Sequence, residues 1–106
     1  MAPINVEIIG KSYSASNNQK GGINYQLTDL AIVYSGAENG GRVVIVHEKD
    51  YLKPIEQRQF NLEPNKKDIY DTEIIDLHKG EEVEKDVNFT RINGKKDKTK
   101  IKITAS

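Results

Sequence analysis

Leu30-Ala31-Ile32-Val33-Tyr34, then Ser35-Gly36-Ala37-Glu38-Asn39-Gly40-Gly41, then Arg42-Val43-Val44-Ile45-Val46-His47 is the stretch that decides the fold. Two apolar runs rich in β-branched residues flank a segment of Ser, Gly and Asn, so the pattern reads as two strands joined by a turn, a β-hairpin. Upstream, residues 25–34 read as one long strand or a strand with a bulge. It is fed by Gly22-Ile23-Asn24-Tyr25-Gln26-Leu27. Before that, residues 14–22 are polar and rich in turn formers, which predicts a mobile loop. Ile4, Val6 and Ile8 alternate with Asn5 and Glu7, the mark of a half-buried first strand that is expected to run past Gly10 toward Tyr13.

Downstream, residues 48–56 carry Pro54 and mixed charges and suit a short helical turn or an irregular crossover. Residues 58–62 read as a strand with Phe60 and Leu62 on one face, and residues 69–77 as a further strand with a short helix as the competing reading. Residues 87–92 and 98–103 flank Asn93-Gly94 and predict a terminal hairpin, its connection lengthened if residues 95–97 join it; the alternative for residues 87–106 is a basic tail. Short strands with turn signals between them are the signature of a sandwich or barrel. The expectation is one all-β domain over residues 1–106 with at most one short helix.

The chain has 106 residues, 36% apolar and 30% charged, which predicts a thin core and one wet face on every strand. With no cysteine there are no disulfides, thiolate zinc sites or cysteine nucleophiles. No apolar run approaches the ~20 residues of a membrane span, and the first residues carry no secretory pattern, so the expected location is the cytoplasm, away from membranes.

Sixteen basic and sixteen acidic residues give zero formal charge, but their order is uneven. Residues 68–86 hold eight acids against Lys79 and Lys85, and the end of the chain is basic. Either these are solvated faces that attract each other, or the basic end is a patch for an anionic partner. Alternation places Lys98, Lys100 and Lys102 on one side of the last strand, where they serve that patch or protect a sheet edge.

Catalytic ingredients are sparse. His47 and His78 do not form a ligand pair, Asp68, Asp71, Glu73 and Asp76 lack calcium-loop spacing, and Gly21-Gly22 and Gly40-Gly41 lack the Lys-Ser/Thr of a phosphate loop. No enzyme, metal or cofactor is expected, which leaves binding. Five of the seven aromatics are tyrosines. Tyr13, Tyr25 and Tyr34 neighbour Lys11, Lys20 and Arg42 in sequence, and aromatic faces interleaved with cations suit a single strand of nucleic acid, whose bases stack and whose phosphates attract charge. The candidate contacts are Tyr13, Lys20, Tyr25, Tyr34, Arg42 and Arg58.

An apolar strand at residues 4–9, a polar loop at 14–22, the Gly22-x-x-Tyr25 approach and the apolar pair at 30–34 and 42–46 together resemble the small single-stranded DNA-binding proteins of filamentous phages and conjugative elements, over about residues 4–62. The resemblance implies an OB-like barrel, cooperative coating of single strands during DNA replication, dimerisation, and stacking through Tyr25 with Lys20 and Arg42 at phosphates. The competing class is a β-sandwich serving as a structural or protein-interaction module of a phage particle or other assembly, which suits the zero net charge. A DNA-mimicking inhibitor is disfavoured, because the acids of residues 68–86 alternate with apolar residues needed for a core.

Overall fold

The computed structural model describes residues 3–25, 27–47 and 71–106. The expected crossover at 48–56, the expected strand at 58–62 and the candidate contact Arg58 lie outside the described residues. Within them are eight strands and no helix: β1 (Ile4–Ile8), β2 (Lys11–Ala15), β3 (Lys20–Asn24), β4 (Leu30–Ala37), β5 (Gly40–His47), β6 (Asp71–His78), β7 (Glu82–Thr90) and β8 (Lys96–Ala105). All pairings between them are antiparallel. The all-β class read from the sequence is therefore the class observed.

Two four-stranded sheets form, ordered β2-β1-β8-β7 and β3-β4-β5-β6. The pair is compatible with a small barrel or a sandwich. Within the sheets every pairing joins strands adjacent in sequence except that of β8 with β1. Single bridges tie the sheets at two corners, Asn17 to Gly36 and Thr28 to Arg91.

The core lies between the sheets. Period-two alternation points Ile4, Val6 and Ile8 of β1, Ile101 and Ile103 of β8, Leu30, Ile32 and Tyr34 of β4, and Val43 and Ile45 of β5 into one cluster. Each fully buried aliphatic side chain contributes about 1.5–3 kcal/mol, against ~0–1 kcal/mol for an exposed ion pair, so packing dominates. Gly41 permits the close approach of the sheets: a Cβ there would collide with the Ile4 side chain.

Several sequence expectations change. The first strand does not pass Gly10. It ends at Ile8, and Ile9 (φ 51°) and Gly10 (φ 73°) turn the chain back so that Lys11 pairs with Ile8. Both turn residues have the positive φ that two-residue I′ hairpins demand. The long polar loop shrinks to residues 16–19, since Lys20 to Asn24 form β3. Those four residues are held in place: Asn18 N–H donates to Gly36 O at 3.0 Å, and Gly36 N–H donates to Gln19 O at 2.9 Å. Residues 25–34 are not one strand, because the chain reverses after Asn24 and Ile23 pairs with Ile32.

Nor does every strand have a wet face. Ala31, Val33, Val44 and Val46 form a second buried cluster on the outer side of β4 and β5, with Ile74 packed on it. The physical reason is visible in the runs at 30–34 and 43–46, which are continuous rather than alternating, the pattern of strands buried on both faces.

The hairpins at 30–47 and 82–105 form as read, the second with a five-residue connection, Arg91 to Lys95. β8, however, is no edge: it lies between β1 and β7. Lys102 stands opposite Glu84 on one side and Glu7 on the other, and Lys100 opposite Asp86. Lys102 Nζ reaches Glu82 at 3.0 Å. At Lys100 and Lys102 the acidic stretch and the basic end thus interleave on one sheet face, whereas Lys98 stands opposite Asn88.

Candidate nucleic-acid interface

The candidate site forms where β2 and β3, the edge strands of the two sheets, face each other. The loop between β3 and β4 fixes one wall. Thr28, fully buried, donates its hydroxyl to Tyr25 O at 2.7 Å and accepts the Leu30 N–H at 3.1 Å. Asp29, also buried, clamps the loop to β7: its N–H donates to Thr90 O at 2.9 Å, and its carboxylate accepts the Thr90 N–H at 2.8 Å. Ile92 N–H donates to Leu27 O at 2.7 Å. These ties bring Arg91, far along the chain, beside Tyr25.

There the rings and cations build on one another. Tyr25 meets Phe89 edge to face, with centroids 5.1 Å apart and planes at 74°, a favoured aromatic geometry. The Arg91 guanidinium lies 5.3 Å from the Phe89 ring centroid, within cation–π range. It also holds Asp97 at 2.9 Å. That hydrogen bond raises the Arg91 pKa above its ordinary value, with a small contribution from the Tyr25 hydroxyl. Asp97 is lowered, first by the Lys98 N–H and then by Arg91.

The result is an open cavity of about 430 Å³, within the ~300–1,000 Å³ usual for small-ligand sites. Tyr13, Tyr25, Lys11, Arg91 and Asn24 line it, with Ile8, Ile9 and Ile23 as its apolar floor and rim. No carboxylate is among its described lining residues. Both tyrosines are half-buried, packed against the core. Asn24 Oδ1 is shielded from water and, among the described residues, has no hydrogen-bond partner. Such a group is costly unless something donates to it.

A larger cavity, about 660 Å³, opens between β6 and β7. Asp29, Glu73, Asp86 and Asp97 contribute to its lining, which opposes phosphate. One of its lysines, Lys85, is paired with Glu73 across the opening. His47 Nδ1 sits 3.5 Å from Asp29 Oδ2. Among the described residues no group of three or more His, Asp or Glu is placed to hold a metal ion, and no helix is long and apolar enough to cross a membrane.

The candidates named from sequence are therefore divided. Tyr13 and Tyr25 meet at the cavity. Tyr34 does not join them: it is a core residue, 8% exposed, with its ring across Gly21 on the paired strand, where a Cβ would collide with it. Burial first, and the nearby Tyr13 second, push its hydroxyl pKa up. Lys20 and Arg42 flank Ser35 in one row across the outer face of the second sheet, away from the cavity. Arg42 there holds the Asp76 carboxylate through Nε at 2.7 Å and Nη2 at 3.2 Å. The sequence reading missed Asn24 and Arg91 as members of the site. Lys11 carried the only local signal, its closeness to Tyr13; Arg91 enters through a turn no local pattern announces.

No family model, curated protein or solved structure matches the chain.

Proposed function

We propose that this protein binds single-stranded DNA without catalysis, using the cavity between β2 and β3 as a base-binding site. One observation carries the reading: Tyr13 and Tyr25 share an open cavity with Lys11 and Arg91, and no described carboxylate lines it. Aromatic rings give bases a sequence-tolerant surface worth ~1–3 kcal/mol per stacked base, and the cations meet the phosphates on either side. Dimerisation on the strand and a cytoplasmic role in replication belong to the same proposal.

The test is titration of the protein with oligo-dT at two salt concentrations. With no tryptophan, tyrosine is the intrinsic fluorophore, so binding at Tyr13 and Tyr25 quenches the emission directly. The expected affinity falls with salt, with a log–log slope of about −0.7 for each phosphate neutralised. Tyr25→Ala weakens binding and leaves the salt slope as it was. Salt-independent binding, or none, would remove the nucleic acid and leave the protein-interaction module as the reading that the exposed apolar residues beside the cavity favour.

A further inference from the structure

Three large apolar side chains are exposed among the described residues: Ile9 at 55%, Leu27 at 61% and Ile92 at 47%. All three belong to the end of the molecule that holds the cavity. Ile9 lines it, Leu27 lies two residues beyond Tyr25, and Ile92 follows Arg91 and bonds to Leu27 through its N–H. Two of them also carry backbone strain. Ile9 and Leu27 sit at φ 51° and 59°, a left-handed conformation in which a bulky or β-branched side chain crowds the following carbonyl. Asn or Gly would occupy either position without that crowding and without exposing an apolar surface. Strain of this kind persists where surrounding structure enforces it, and it concentrates at ligand contacts.

The setting names the occupant. Residues 9–11, 25–28 and 91–96 contain Lys11, Arg91, Lys95 and Lys96 and no acid, although Asp97, next along the chain, holds Arg91. Apolar tips ringed by cations complement a partner that is itself apolar at its face and anionic at its edge, which describes an unstacked base on its phosphate backbone. We propose that Ile9, Leu27 and Ile92 are wedges that rest against successive bases as a single strand crosses the mouth of the cavity, so that the rim and the Tyr13–Tyr25 pair form one continuous binding surface. Apolar side chains placed between base steps are an established means of holding bases unstacked. This inference rests on the single-stranded DNA reading and extends it from the cavity to the loops.

The experiment compares the wild-type chain with Ile9→Asn, Leu27→Asn and Ile92→Ser. Each is measured for its denaturation midpoint and for affinity toward oligo-dT, toward a fully abasic oligonucleotide of equal length and toward a duplex. The expected result is a denaturation midpoint equal to or above wild type for the two Asn variants, because Asn tolerates the left-handed backbone. Affinity for oligo-dT falls about tenfold per variant, with the salt slope unchanged. Abasic affinity is the same for all four proteins, and wild type prefers single strand to duplex. If wild type binds oligo-dT and the stable variants bind it equally well, the wedge role is wrong while the cavity reading stands. An equal loss toward the abasic strand would show that the tips do not touch bases. Failure of wild type to bind any oligonucleotide overturns both, and loss of a wild-type self-association in the variants would assign the tips to a contact between copies.

Discussion

At the scale of single residues, the informative positions are those where local preference and observed conformation disagree. Ile9 occupies a turn position that favours Asn, followed by a Gly10 that suits it. Ile9→Asn is accordingly expected to stabilise the fold by ~1 kcal/mol, read as a higher denaturant midpoint with an unchanged slope. Arg42 illustrates the opposite case, a residue at ease in its place but assigned a different task by its neighbours. Its hydrogen bond is the first cause holding the Asp76 carboxyl below its ordinary pKa. A carboxyl depressed in the folded state stabilises the protein above its unfolded pKa, and that contribution disappears as the pH falls through the folded value. Since both partners are well exposed, the amount is at most ~1 kcal/mol. In an NMR titration, Arg42→Ala should return the Asp76 carboxyl toward the usual range, and the variant should lose less stability than wild type on acidification.

Among elements, the loop between β3 and β4 decides whether a site exists at all. It joins the two sheets through Asp29, whose main chain and carboxylate both engage Thr90. Asp29→Ala leaves the Thr90 N–H without its acceptor in a partly buried setting and is expected to cost about 1 kcal/mol. Denaturation should show the loss, and oligo-dT affinity should fall beyond it, because Tyr25 and Arg91 are no longer held together. Asp29→Asn retains an acceptor oxygen and should recover most of both. The hairpins show how far element reading from sequence can go. At 30–47 it succeeds because glycines and polar residues separate two continuous apolar runs. At residues 4–24 it mistakes the β1–β2 hairpin and the strand β3 for a long strand and a loose loop. The turn at Ile9-Gly10 has only half of the expected chemistry, and Lys20-Gly21-Gly22 lacks the side chains that mark a strand. There the neighbouring Tyr34 ring supplies the packing that Gly21 cannot.

For the molecule as a whole, β8 is the element on which the first sheet depends. It pairs with β1 on one side and β7 on the other and places Ile101, Ile103 and Ala105 in the core. Deleting residues 101–106 strips β1 of that partner and opens the inter-sheet core, so the truncated chain should lose its cooperative unfolding transition and the dispersion of its amide NMR spectrum. β8 also explains why zero net charge gave no view of the surface. Acids of β7 and β1 stand across from Lys100 and Lys102, which leaves the loop tips at the cavity end as a place where cations outnumber acids.

The sequence alone determined the strand class, the two hairpins with strong turn signals and the inward rows of Ile and Val, because period-two alternation and turn chemistry are local properties of the chain. It also pointed to Tyr13 and Tyr25. Only the tertiary structure decided that Tyr34 faces the core, that Arg42 belongs to Asp76, that β8 is central, and that Arg91 and Asn24 complete a cavity with the two tyrosines. Those outcomes follow from register and from the way two sheets meet at their edges, and contacts between residues remote along the chain leave no periodic trace in it.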